Sequence, residues 1–191
     1  MPVIEVHLIA GYGDEVKTRL GKALTDGARL VIPADPDGIT VLTHEVAASG
    51  YMRGGQNRFP APPLPDPAET VQAYLAAMEA RDLDTAAGYL GAEFEMIFPG
   101  GVRMTDLDAL VAWSAERYKR VTKTFEGIDT APSETGAVVH CHGTLSGLWP
   151  DDTPFEGIRF IDRFELTDSK ITRQEVWNDM AAAMQARKDP A

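Results

Sequence analysis

The chain lacks disulfides, long apolar runs and surplus positive charge, and each absence excludes a class of protein. Among its 191 residues there is a single cysteine, Cys141, so no internal disulfide can form, which suits a reducing cytoplasm. No apolar run approaches the roughly 20 residues that a membrane-spanning helix needs. The N-terminus has no basic segment followed by an apolar stretch, as a secretory signal would. We therefore expect a cytoplasmic protein with no membrane contact.

The net charge of −11 argues against nucleic acid as a partner, because binding to phosphate backbones needs clustered cations. The charge is unevenly distributed: residues 1–65 hold six Lys and Arg against seven Asp and Glu, which leaves 12 against 22 for the rest. The change falls at the segment 59–67, where five prolines in nine residues favour an extended spacer. The sequence thus predicts a domain over 1–58, a linker over 59–67 and a domain over 68–191.

Alternating secondary-structure patterns fill the first domain. An apolar run over 3–10 predicts a strand, apolar residues at helical spacing from Glu15 to Val31 predict a helix, and residues 39–46 predict a second strand. A strand, a helix and a strand within about 45 residues form one βαβ unit with parallel strands and a right-handed crossover. A glycine-rich turn or short hairpin over 50–55 follows.

Pro2 draws attention because the first nitrogen of a chain is the only backbone nitrogen that is not an amide. If Met1 is trimmed, Pro2 carries a free secondary amine at the start of a strand. An apolar site would lower the pKa of that amine, and a base poised near working pH can remove a proton beside a carbonyl. The alternative is that Pro2 only ensures the removal of Met1.

The first domain resembles the 4-oxalocrotonate tautomerase family. The resemblance rests on Pro2 before an apolar strand, a Gly-x-x-Asp-Glu-x-Lys helix entry over 11–17, the strand 40–45, and Gly54-Gly55 after an aromatic residue. It implies that Pro2 is a general base or acid in keto–enol isomerisation of 2-oxo acids, and that Tyr51 makes the pocket apolar. It also implies assembly into dimers or hexamers with pockets shared between subunits.

Two positions depart from that family. Its substrate-holding arginines fall where this chain has Tyr12 and Thr40, neither of which can bind a carboxylate in the two-pronged manner of arginine. Tyr12 can donate a hydrogen bond to a carbonyl oxygen. Arg53 is the nearest remaining candidate for stabilising negative charge, and a solvated turn arginine is the alternative. We therefore expect Pro2, Tyr12 and Arg53 to be catalytic, with Tyr51 and Thr40 contacting substrate.

Self-association is expected for a physical reason too. A single two-stranded unit cannot cover both faces of its sheet, and isolated strand pairs are marginal in water. A homo-oligomer would supply the missing cover.

The second domain has helices first and long strands afterwards. Asp66-Pro67 is a strong helix start, and a second and a third helix surround a strand over 94–98. Three long strands near 137–147, 156–166 and 170–178 follow, separated by turn clusters and preceded by a looser strand near 121–129. This order predicts an α+β domain with helices packed on one face of the sheet. We expect Tyr74, Tyr118, Trp149 and Trp177 to lie in the core or a cavity wall.

The second domain resembles the SnoaL-like group of the nuclear transport factor 2-like superfamily. The resemblance lies in the helical segment 74–84 and in Asp168-Ser169-Lys170-Ile171 leading to Trp177. It implies a cone-shaped α+β domain in which helices pack on a curved antiparallel sheet. Such a fold hosts many functions, so its activity must be argued from the site.

Strand parity singles out three candidate substrate-binding residues in this domain. Asp162 shares a face with four apolar side chains, which would raise its pKa and suit an acid or base. The alternative is a carboxylate that is paired with a neighbouring arginine or exposed at a sheet bend. His140 and His142 share another face and could line a pocket. Two histidines alone do not make a zinc site, and we expect no metal and no cofactor.

Three functions are compatible with these features. The first is a proline-based tautomerase whose second domain binds a small organic ligand or helps assemble the oligomer. The second is a polyketide-cyclase-like isomerase that acts through Asp162 and a histidine. The third is a small-molecule-binding protein without catalysis.

Overall fold

The computed structural model describes residues 2–188, and the chain divides into two compact units between Leu64 and Pro65. That division lies within the proline-rich segment 59–67. Met1, whose removal the chemistry of Pro2 requires, and residues 189–191, which the second domain was expected to include, lie outside the described residues.

The first unit is a βαβ unit followed by a small hairpin. Its elements are β1 (Val3–Ile9), α1 (Asp14–Arg29), β2 (Thr40–Val46), β3 (Met52–Arg53) and β4 (Gln56–Asn57). The strands β1 and β2 pair in parallel, with Val3 opposite Thr40 and His7 opposite His44. The strands β3 and β4 pair antiparallel.

The helix α1 begins where two acidic residues, Asp14 and Glu15, favour the positive end of the helix dipole. It ends at Arg29, earlier than the apolar spacing predicts, and Val31 lies beyond it with 83% of its surface exposed. Pro33 contributes to this end, because it has no backbone N–H to donate to the carbonyl four residues before it, that of Arg29, and its ring would clash with that carbonyl in a continued helix.

The first unit has little core of its own. Among its described residues none is fully buried, and one face of β1–β2 leaves Val3 and Leu42 exposed to 59% and 42%. Val3, Glu5 and His7 share that face with their register partners Thr40, Leu42 and His44. This face therefore presents apolar side chains to solvent beside polar ones.

The second unit is an α+β domain, as predicted. Its elements are α2 (Pro67–Ala80), α3 (Leu83–Ala87), β5 (Leu90–Phe98), β6 (Val102–Met104), α4 (Leu107–Ala115), β7 (Arg120–Pro132), β8 (Gly136–Leu148), β9 (Pro154–Thr167), β10 (Lys170–Asn178) and α5 (Met180–Lys188). The six strands lie in the order β6-β5-β10-β9-β8-β7, and every neighbouring pair is antiparallel except β5–β10.

Helix α2 begins as its sequence predicts. The Asp66 carboxylate accepts a hydrogen bond of 2.8 Å from the backbone nitrogen of Ala68, and Pro67 occupies the first turn. The helix ends at Ala80, and the left-handed φ of 61° at the following residue, Arg81, turns the chain toward α3.

The core lies between the helices and one face of the sheet. Strand β9 turns Phe160, Asp162 and Phe164 inward, while the alternate residues face outward. In β10 an irregularity between Ile171 and Arg173 shifts the register, so Ile171, Gln174 and Val176 are all buried. None of the helices within residues 2–188 has the length and apolarity to cross a bilayer.

The same irregularity places Trp177 on the outer face, with 50% of its surface exposed. The expectation that Trp177 lies in the core or a cavity wall is therefore wrong. Strict alternation from the buried Ile171 would have pointed Trp177 inward, and the shift reverses that direction. Trp149, in contrast, is only 4% exposed.

Candidate functional site

Pro2 and Thr40 lie together at one edge of the first unit's sheet. They stand at the beginnings of two parallel strands, and the Thr40 backbone nitrogen donates a 3.1 Å hydrogen bond to the Pro2 carbonyl. Pro2 is half-buried, whereas Thr40 is exposed. The ring nitrogen of Pro2 thus stands at the head of a fixed strand.

The other residues predicted for this site lie at the opposite edge. Tyr12 follows the end of β1, while Tyr51 and Arg53 follow the end of β2. Seven strand residues at about 3.3 Å each separate the two edges by roughly 20 Å. Tyr51 is half-buried and Arg53 is exposed. A single chain therefore does not bring Pro2 together with Tyr12 and Arg53.

The second unit contains a cavity of about 450 Å³ between the helices and the inner face of the sheet. Its wall is mainly apolar and rich in aromatic rings, among them Phe98, Trp113, Tyr118, Phe125 and Phe160. A volume and lining of this kind suit a small organic molecule.

An ion pair stands beside this cavity. Asp162 is completely buried, and one of its oxygens, Oδ2, accepts a hydrogen bond from the Lys123 ammonium. Lys123 lines the cavity and lies 4.1 Å above the ring centre of Phe160, whereas Asp162 does not line it. The other oxygen, Oδ1, has no hydrogen-bond partner among the described residues. Burial raises the pKa of Asp162 above its ordinary value, and the Lys123 ammonium opposes the shift.

Further polar groups surround the pair. The Tyr74 hydroxyl donates a 3.1 Å hydrogen bond to the Gln174 side-chain oxygen, and both residues line the cavity. Burial raises the pKa of Tyr74, and the nearby Asp162 carboxylate adds to the shift. Burial likewise raises the pKa of Cys141 to about 12, so this thiol stays protonated and unreactive.

His140 and His142 do not reach the cavity. Their neighbours Val139, Cys141 and Leu145 point into the core, so both histidines stand on the outer face of β8. His142 is exposed and lies beside Gly127 of β7. The structure thus brings neither histidine together with Asp162. Across residues 2–188, no three His, Cys, Asp or Glu side chains are grouped to hold a metal ion.

Sequence reasoning missed Lys123, a charged residue that does line the cavity. A signal was present, because Lys123 lies between Val121 and Phe125 on one face of a strand, where a charge needs a partner. Asp162 is ion-paired, as the alternative to a catalytic role predicted, but its partner is a lysine on another strand and not a neighbouring arginine.

The architecture of the second unit defines its class: an α+β domain whose helices and inner sheet face enclose a small-molecule-sized cavity. The family model described as "SnoaL-like domain" matches residues 71–174, more than half of the chain, and the chain belongs to that family. The model described as "Tautomerase enzyme" matches residues 2–57, so a tautomerase domain precedes the SnoaL-like domain. A search of curated protein sequences returned no significant match.

Solved structures share the fold of the second unit. TerC, co-crystallised with polyporic acid, is 18% identical with a TM-score of 0.53, over 63% of this chain and 97% of TerC. An NTF2-like protein from Burkholderia thailandensis is 19% identical with a TM-score of 0.52, over 65% and 98%. A proposed SnoaL-like polyketide cyclase from Jannaschia is also 19% identical with a TM-score of 0.52, over 71% and 100%. At these identities the likeness establishes the fold alone.

Proposed function

We propose that the protein is an isomerase of the tautomerase type that acts on a 2-oxo acid or another enolisable carbonyl compound. The observation that carries the proposal is the tautomerase domain that begins at Pro2, with that proline half-buried at the head of β1. The Pro2 nitrogen would break a C–H bond beside the carbonyl, leave the electron pair in an enolate, and return the proton to a different atom.

The remaining residues would stabilise the enolate. Tyr12 or Arg53 would donate hydrogen bonds to the enolate oxygen, Tyr51 would exclude water, and Thr40 would contact the substrate beside Pro2. Because Tyr12, Tyr51 and Arg53 lie roughly 20 Å from Pro2 within one chain, the pocket would combine the edges of two copies.

The test is the Pro2→Ala variant, which keeps the backbone but loses the secondary amine of the trimmed chain. We expect isomerisation of phenylenolpyruvate, followed by absorbance, to fall at least about a hundredfold, the lower range for a general base. Intact-mass measurement must first show that Met1 is removed, because a retained Met1 would turn the proline nitrogen into an amide. Full activity in Pro2→Ala, or in a chain that keeps Met1, would refute the mechanism.

The second domain would bind a small organic ligand in its cavity. Its volume and aromatic wall support this role, and a protein of similar fold, TerC, was co-crystallised with polyporic acid. A purely structural role of this domain in the oligomer would predict no ligand binding there.

A second candidate places catalysis in this cavity, as a cyclase or isomerase. The buried Asp162, with an unpartnered oxygen and a raised pKa, favours it. Since Asp162 does not line the cavity, it would transfer protons through Lys123. In this case Asp162→Asn would abolish turnover while Pro2→Ala stays active. A binding protein without catalysis would show ligand binding and no proton exchange in either variant.

A further inference from the structure

The cavity of the second unit carries a charge opposite to that of the whole protein. Although the chain has a net charge of −11, the cavity lining contains five cationic side chains and one acidic side chain, Glu79. The five cations are Arg81, Arg117, Lys119, Arg120 and Lys123. A positively charged cavity in an otherwise acidic protein attracts anions and raises their local concentration there.

Several of these cations are available to a ligand. Lys119 is paired with Asp152 at 2.5 Å, but within residues 2–188 neither Arg117 nor Arg120 has an ion-pair partner. The single acid is itself engaged, because Glu79 accepts a 2.8 Å hydrogen bond from the Thr122 hydroxyl. The lining therefore offers unneutralised positive charge.

Lys123 is the cation best placed to meet a ligand inside the cavity. Its side chain is 20% exposed, against 58% for Lys119, and its ammonium lies against the ring of Phe160. An ammonium has three donors, and Asp162 occupies one of them. Lys123 can thus donate to a ligand while Asp162 holds it in place.

We infer that the cavity selects an organic anion, a flat and mainly apolar molecule with a carboxylate or a similar acidic oxygen group held by Lys123. The aromatic wall contacts the body of this ligand, and Arg117 and Arg120 draw the anion in. This inference rests on the proposed ligand-binding role of the second domain. Charge-assisted hydrogen bonds are stronger than neutral ones, so the anion should bind better than a neutral molecule of equal shape.

Calorimetric titration of the full chain with 2-naphthoate and 2-naphthamide tests the inference, because the two probes share size and shape but differ in charge. We expect 2-naphthoate to bind about tenfold to a hundredfold more tightly. Equal affinities would overturn the charge selectivity while leaving the ligand-binding role intact. Binding of neither probe would overturn both.

Variants test whether Lys123 is responsible for the preference for the anionic probe. Lys123→Gln alone would leave a buried carboxyl without its partner, so the informative variant is Lys123→Gln combined with Asp162→Asn, which keeps the net charge of the chain. It should bind the two probes within about twofold of each other. Arg159→Gln removes an exposed cation that lies outside the cavity and pairs with Asp179. This control should keep the wild-type preference, and a preference retained by the double variant would overturn the assignment to Lys123.

Discussion

Lys123 and Asp162 form a largely buried ion pair, in which each charge offsets part of the cost of burying the other. A carboxyl without solvent needs a cation, and Lys123 supplies one while keeping part of its surface in the cavity. The pair could not be read from the sequence, because 39 positions separate its members and only the pairing of β7, β8 and β9 brings them together.

The raised pKa of Asp162 leads to a prediction about pH. Because the folded state holds this proton more tightly than the unfolded chain, with its ordinary value of 3.8, stability falls as pH rises from that value through the folded pKa. Asp162→Asn cannot ionise. We therefore expect the free energy of unfolding of this variant, minus that of wild type, to increase as the pH is raised above about 4 in urea titrations.

The groups around Asp162 are the Lys123 ammonium, the Gln174 side chain, the Tyr74 hydroxyl and the Cys141 thiol. The ammonium and the Gln174 side chain favour the ionised carboxylate, but burial outweighs both and the pKa of Asp162 is raised. Asp129→Asn, on the exposed side of β7, is the matched control. A difference between Asp162→Asn and wild type that stays constant with pH would contradict the prediction.

Strand β8 approaches β7 so closely that an added methyl group would overlap a backbone carbonyl of β7 at two of its glycines, Gly143 and Gly147. A methyl group at Gly143 would overlap the backbone carbonyl of Thr124, which the sheet holds in place. We expect Gly143→Ala to lower the free energy of unfolding by about 1–3 kcal/mol, the usual cost of overpacking, measured by urea denaturation. In Gly127→Ala the atoms nearest to the added methyl belong to the exposed ring of His142, which can turn away. If both variants cost the same, backbone proximity is not the cause.

At the level of elements, patterns dictated by local chemistry were predictable from sequence. Asp66 and Pro67 marked the start of α2, and alternation in β9 placed Asp162 with the apolar residues. The register shift in β10 was not predictable, because it depends on how β10 pairs with its neighbours, and it reversed the side on which Trp177 lies. The position of His140 and His142 on the outer face likewise depends on which side the helices cover.

The exposed face of β1–β2 leads to a prediction about the oligomeric state of the protein. Val3 and Leu42 expose apolar surface on a unit with no fully buried described residue, so we expect the chain to self-associate through this face. Leu42→Asp would place a charge there and should reduce the molar mass measured by light scattering to that of a smaller species. Leu64→Asp, which is also exposed but lies in the proline-rich segment, should leave the assembly intact. A monomeric wild-type chain at micromolar concentration would refute this expectation.

If each active-site pocket is formed by two copies of the chain, a mixture of variants should behave differently from an enzyme whose pocket lies within one chain. Pro2→Ala replaces the proposed secondary-amine base at one edge of the sheet with a primary amine, and Arg53→Ala removes a proposed charge-stabilising group at the other. If each pocket joins Pro2 of one copy to Arg53 of another, dissociating and reassembling the two inactive variants together should restore some pockets with both residues. Random assembly of a 1:1 mixture would recover about a quarter of the wild-type tautomerase activity. Reassembling each variant with itself is the control and should recover none. A mixture as inactive as its components, in an oligomer shown to exchange subunits, would mean that Pro2 and Arg53 do not serve one pocket from different copies.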